Sequence, residues 1–342
     1  MGTIRTALVW AGLLAALGAP AQAQTLKEFG SFHVGGRSIT LSGYPVSEAV
    51  FTKGAAPTKV DPNGDFEVEQ MYVQYLIPEP QLSKYPLLMW HGGGLTGVTW
   101  DTKPDGKPGF MQYFFRHGHA IYVSDAVERG RASWARYPEV FTTPPLFRPK
   151  WEPWEQFRIG PQKSYNTDPA KRVAIPGVKF PIEAFDQFAK QIVPRWTSND
   201  EATLKAYAAL LQKMGESVLM VHSQAGNFGF NSALAQPDKV KGIVALEPAG
   251  APSPGPELEK LKNIPILIIW GDNIQSEPVW VRQQPFSLRF AADLKERGGD
   301  VEVIELPKIG ITGNDHMIMM DTNSDQIADL IQDWMKRKGL TR

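Results

Sequence analysis

Ser223 lies in the stretch SVLMVHSQAGNFGF, where an apolar run stops and a small, glycine-dotted segment begins. A serine between a buried strand and a helix sits on a sharp turn above the sheet. The helix N-terminus beneath it favours developing negative charge. That is where a nucleophile for acyl transfer is held, usually as G-x-S-x-G. Here Val221 and Ala225 occupy the two glycine positions, so the pattern fails at both. The bland alternative is a serine that caps a helix. Ala225 is small and Gly226 adjoins it, but Val221 requires small residues on the strand or helix that faces it.

Three further features would complete such a chemistry. The run His91–Gly94, HGGG, follows the apolar strand YPLLMW, and consecutive glycines let backbone N–H groups turn toward an oxyanion. Gly93 or Gly94, with the amide of Gln224 after the serine, would form the oxyanion hole. His316, in GITGNDHMIMM, falls after the last strand and before the final helix, the place of a triad base in the chain order serine, acid, histidine. His33, His91, His117, His119 and His222 are less suitably placed. The acid has two candidates. Asp272 follows PILIIWG, and Glu247 ends GIVALEP, the strand directly after the elbow helix; a glutamate ending an apolar strand is costly unless paired, which favours Glu247.

The elements that must position these residues alternate. Strands are expected at 66–79, 85–90, 119–125, 217–223, the VKGIVALEPAG segment, IPILIIWGD and VEVIELP, and helices at 109–118, 198–215, QAGNFGFNSALAQ, QPFSLRFAADLKERGG and SDQIADLIQDWMKRKG. Repeated β and α units imply a mostly parallel sheet with helices on both faces, its chemistry at the strand C-termini. Residues 24–66 read instead as short antiparallel strands and turns.

Residues 134–197 break this rhythm. They are rich in proline and aromatics and too long for an ordinary connection, so they are expected to form a cap inserted into a core of 24–133 and 198–342. Trp134, Phe147, Trp151, Trp154 and Trp196 are expected to shape an apolar pocket over Ser223. Residues 1–23 combine Arg5, a short apolar run and Ala21-Gln22-Ala23, the signature of a secretory signal peptide; export to the periplasm or beyond follows. The chain has 36 basic and 36 acidic residues, which gives no footprint for nucleic acid. It has no cysteine, which excludes a thiol nucleophile and thiolate metal sites. Its six histidines are scattered with no H-E-x-x-H, so no metal or other cofactor is expected, and no second apolar stretch reads as a membrane span.

Together these pieces resemble the α/β-hydrolase superfamily over nearly the whole mature chain. More narrowly they resemble exported bacterial esterases of the esterase 713 type, through His222-Ser223-Gln224, Leu95-Thr96-Gly97, Thr99-Trp100, Pro104-Asp105-Gly106 and Asp315-His316-Met317. The resemblance implies an α/β-hydrolase fold and a Ser223–His316–Glu247 triad. It also implies an oxyanion hole from the glycine run and Gln224, and a small-molecule ester as substrate. Gly93 and Gly94 depart from the bulkier residues of the type member. Amide cleavage by the same triad, a non-catalytic binding protein on the same scaffold, and a homodimer stay open at this stage.

Overall fold

The computed structural model describes residues 24–134 and 136–342; the expected signal peptide lies outside them. Eight strands form one sheet: β1 (Thr25–Leu41), β2 (Gly64–Glu79), β3 (Leu87–Trp90), β4 (Ile121–Asp125), β5 (Ser217–His222), β6 (Val240–Leu246), β7 (Ile266–Trp270) and β8 (Val301–Glu305). Their order is β1-β2-β4-β3-β5-β6-β7-β8. The six strands from β4 to β8 in that order are parallel, and β1 and β2 are antiparallel additions at one edge. Seven helices accompany them: α1 (Phe110–Arg116), α2 (Trp151–Gln156), α3 (Phe185–Ala189), α4 (Asp200–Met214), α5 (Ala225–Ala235), α6 (Pro278–Glu296) and α7 (Ser324–Arg337).

The central strands are apolar along most of their length because both faces are covered. Alternate residues divide between two cores. Leu88, Trp90, Leu219, Val221, Ile243, Ala245, Ile266, Ile268 and Trp270 pack with residues of α4, α5 and α6. Leu87, Met89, Val218, Met220, Val244, Leu246, Leu267 and Ile269 pack with residues of α1 and α7. Trp90 stacks on Tyr207 of α4 with ring centroids 3.6 Å apart, which fixes the strand that feeds the glycine run.

Two expectations need correction. The N-terminal region holds one short antiparallel pair (Ser47–Ala49 with Thr58–Val60), but its first strand is long: β1 runs 17 residues with Gly35-Gly36 inside it. Both glycines have positive φ, as does Glu69 opposite them, so the ladder absorbs an irregularity without ending. Helix α6 begins at Pro278, six residues before the expected start. Proline at the first position and the Glu277 carboxylate capping the Val279 amide at 2.6 Å explain that start. Pro285 lies within the helix and does not open it.

Candidate active site

Ser223 follows β5 and precedes α5 with φ at +53°, a left-handed conformation that is strained for a side-chain-bearing residue. The turn is held by Ser223 N–H donating to Leu246 O (3.1 Å), and by Gly226 and Ala249 N–H donating to Ser223 O (2.9 and 2.8 Å). The missing glycines are replaced from elsewhere. A Cβ on Gly229 of α5 would lie 2.9 Å from Val221 Cγ1, so Gly229 is the small residue that admits the valine. A Cβ on Gly226 would lie 2.5 Å from Pro248 Cβ, so this glycine lets the helix start close against the β6 terminus.

His316 Nδ1 donates to Glu247 Oε2 at 3.0 Å, and both side chains are fully buried. With the proton on Nδ1, Nε2 carries the lone pair, and this atom is buried without a hydrogen-bond partner. Ser223 Oγ makes no hydrogen bond to it among the described residues. Trp280 of α6 stacks on the imidazole at 3.9 Å, and Phe157 packs at 5.0 Å. Burial first, and the Arg158 charge second, hold His316 well below the usual imidazole range, so it is neutral and basic at Nε2.

Glu247 also has positive φ, at +49°. Its Oε1 accepts from Gly271 N–H (2.6 Å) and from Arg158 Nη2 (2.7 Å). Three donors thus hold one carboxylate, which is how a buried charge is made tolerable. Asp272 does not reach His316 in this way. Its carboxylate accepts from Asn273 and Gly313 N–H at 2.7 and 2.8 Å, fixing the chain just before the histidine loop.

Sequence reasoning missed Arg158. It is fully buried, and its Nε donates to Asp272 O at 2.8 Å. Its neighbour Phe157 accepts the His316 amide through its carbonyl at 3.0 Å. The segment between β4 and α4 therefore grips both Glu247 and His316. The only sequence signal was an arginine among apolar residues in FRIG, which no period or spacing could tie to Glu247. His222 also has a role not read from sequence: its Nε2 donates to His316 O at 2.9 Å, which anchors the histidine loop from the nucleophile strand.

The glycine run lies against the elbow. A Cβ on Gly92 would lie 2.9 Å from Ser223 Cβ, so only glycine allows this approach. His91 Nε2 accepts from Ala126 N–H (3.0 Å), so its Nδ1 carries the proton and donates to Gly92 O (2.8 Å). Burial pushes its imidazole down to about 4, which keeps this brace neutral. Gly94 adopts φ +73° and its carbonyl accepts from Val193 N–H at 2.9 Å. The amides of Gly93, Gly94 and Gln224 donate to no other group among the described residues.

A cleft of about 230 Å³ opens at Ser223, bordered by Gly93, Arg148, Phe157, Arg195, Gln224 and Trp280 among others. None of the expected cap tryptophans borders it. Trp154 is buried, donating to Ser164 Oγ at 2.9 Å, and Trp196 is buried against Phe141. Trp134, Phe147 and Trp151 are exposed. The aromatic walls are Phe157 and Trp280, neither of which sequence reasoning selected. Among the described residues no group of His, Cys, Asp and Glu could hold a metal ion, and no helix is long and apolar enough to cross a membrane.

No family model matches the chain. It is 32% identical to a novel bacterial esterase of known structure, with a TM-score of 0.79 over 94% of this chain and 99% of that one. It is also 30% identical, over 327 residues, to "Probable secreted lipase phiG" of Fungal sp. (strain ATCC 74256), covering 80% of this chain and 88% of the relative. The strand order, the parallel sheet with its antiparallel edge and these likenesses agree: the chain belongs to the α/β-hydrolase superfamily, as an esterase- or lipase-like hydrolase.

Proposed function

We propose that this protein is an exported serine carboxylesterase acting through an acyl-enzyme. The observation that carries this reading is the His316–Glu247 pair at 3.0 Å, with the free Nε2 of the same imidazole buried and unpartnered. Such a nitrogen is costly to leave unpaired unless it serves a reacting group. Ser223, on a strained elbow one residue from His222, is the hydroxyl that it would serve.

In the proposed reaction His316 Nε2 takes the proton of Ser223 Oγ as that oxygen attacks an ester carbonyl. Glu247 keeps the Nδ1 tautomer and stabilises the imidazolium, and Arg158 and Gly271 hold the carboxylate in place. The amides of Gln224 and Gly93, with Gly94 beside it, receive the oxyanion; one such donor is worth roughly a hundred- to a thousand-fold in rate. The imidazolium protonates the leaving alcohol, and water then attacks the acyl-enzyme with His316 again as base. Residues 134–197 act as the cap over this site, and residues 1–23 as the export signal.

Purified protein is expected to hydrolyse a short-chain 4-nitrophenyl ester and to label at Ser223 with a serine-directed phosphonate. Unchanged turnover in Ser223→Ala would overturn the reading.

A further inference from the structure

The cleft holds a cation with no counter-charge. Arg195 borders both the cleft at Ser223 and an adjoining narrow crevice of about 20 Å³, bordered by Leu95, Leu146, Pro153 and Ile192 together with Arg148 and Gln156. Its backbone is fixed. Arg195 and Leu146 exchange two hydrogen bonds (2.9 and 2.7 Å), and Val193 N–H donates to Gly94 O. Its guanidinium lies on the oxyanion loop: a Cβ on Gly93 would sit 2.1 Å from Arg195 Nη1. Nη1 donates to the Gln224 side-chain carbonyl at 3.2 Å, while Nε is buried with no acceptor.

Arg195 forms no ion pair among the described residues; the carboxylates of Asp200 and Glu152 act on it only at a distance. Its neighbours add to the positive charge. Arg129 is buried, donates to Pro194 O at 3.3 Å and is likewise unpaired. Arg148 borders the same cleft, but Glu152 answers it at 3.1 Å. Glu128 supplies little balance, because burial pushes its carboxyl up to about 7. Two partly desolvated guanidiniums without a carboxylate are unfavourable on their own. A planar donor fork at a ligand cleft is suited to receive one.

We infer that the site takes esters bearing a carboxylate a few atoms from the scissile bond, recognised by Arg195. The inference rests on the serine-esterase reading above and names its substrate class. The cleft between Ser223 and Arg195, walled by Phe157 and Trp280, would hold the short aliphatic part, and the guanidinium the anionic end.

The test compares 4-nitrophenyl hemiglutarate with its neutral methyl ester, at neutral pH and low ionic strength. The expected kcat/KM ratio favours the anion by about tenfold or more, the scale of one charge-assisted hydrogen bond. Arg195→Gln should bring the ratio to about one, and Arg195→Lys should retain part of it. A matched pair with the carboxylate on the phenol reports which half of the ester carries the charge. A ratio near one in the wild type for both pairs, or a ratio untouched in Arg195→Gln, would overturn the inference. Should the variants fail to fold, competitive inhibition of the wild type by monomethyl glutarate over dimethyl glutarate decides the same question. If Ser223→Ala keeps full turnover, the catalytic reading fails separately. Preferential binding of monomethyl over dimethyl glutarate to that variant, by calorimetry, would still support the anion site, and equal binding would sink it.

Discussion

Arg158→Met tests the most specific feature of the site. Methionine is near in length and apolar, so the substitution removes the charge and its donors with little change in volume. Arg158 and Glu247 are both fully buried, and Nη2 lies 2.7 Å from Oε1. Without it the carboxylate keeps two donors, Gly271 N–H at 2.6 Å and His316 Nδ1 at 3.0 Å, and loses its only permanent counter-charge. Removing one partner of a buried pair costs about 3–5 kcal/mol. For a domain of this size that is a fall of roughly 4–8 °C in Tm. Loss of an outer partner that orients a catalytic group should also reduce kcat about 10- to 100-fold.

The pH dependence separates electrostatics from mere packing. His316 must be neutral at Nε2 to act as base, so activity falls as pH drops through its pKa. Arg158 repels the imidazolium and helps to hold that pKa low. Glu247 opposes this from Nδ1, while His222, whose ring centroid is 4.6 Å away, is itself kept neutral by burial. Removing Arg158 therefore moves the acid limb of kcat/KM toward higher pH. In a Glu247→Gln background the same substitution should cost much less stability, because no buried charge is left unpaired. An acid limb that stays in place or moves down, in a folded variant, would refute the electrostatic role. An unchanged Tm would refute the pairing.

Other expectations follow from the same geometry. Glu247→Gln should lower kcat by orders of magnitude through loss of the imidazolium's partner, whereas Asp272→Asn, which keeps an acceptor for Gly313 N–H, should cost less; the reverse ranking would overturn the choice of acid. Gly229→Ala should destabilise by about 1–3 kcal/mol through overpacking on Val221, and Val221→Ala should recover most of it, as read by denaturant unfolding. Asp315 has its carboxyl pushed up to about 7, first by burial, and the buried Asp321 beside it is likewise raised by burial and by the Asp315 charge. The folded state therefore keeps a proton that the unfolded state releases. Stability from this group is present below about pH 4 and lost as pH rises toward 7. Asp315→Asn should flatten the Tm profile over that window.

What the sequence disclosed depended on range. Elements whose residues pack on sequence neighbours, such as β5 with α5 or the last helix, were legible because burial of both faces or one stripe writes itself into the apolar pattern. Ser223 and Glu247 could be proposed because each directly follows a strand at the sheet's C-terminal edge, and His316 because it lies on the loop after the last strand. The cap tryptophans misled, because an aromatic is equally suited to a pocket wall and to a small core. Trp154 donates to Ser164 Oγ and Trp196 to Thr143 O, and both are used for packing. Trp280 escaped notice because the helix was expected to begin only at Gln284, which left the aromatic that stacks on His316 in an apparent loop.

Arg158 shows why such residues resist reading at all. It lies 89 positions from Glu247, in a stretch without period, and nothing local marks it as buried. Its role exists only once the segment between β4 and α4 is folded over the strand ends. That placement also bears on motion. The same two residues bind the acid through a guanidinium, the base through the Phe157 carbonyl and the β7 terminus through Asp272 O. On the proposed reading of 134–197 as a cap, it cannot lift at Phe157–Arg158 without breaking the bonds to Glu247, Asp272 and His316. The exposed edge carrying Phe147 and Trp151 makes none of those bonds, so on that reading any opening would hinge there rather than at Phe157–Arg158.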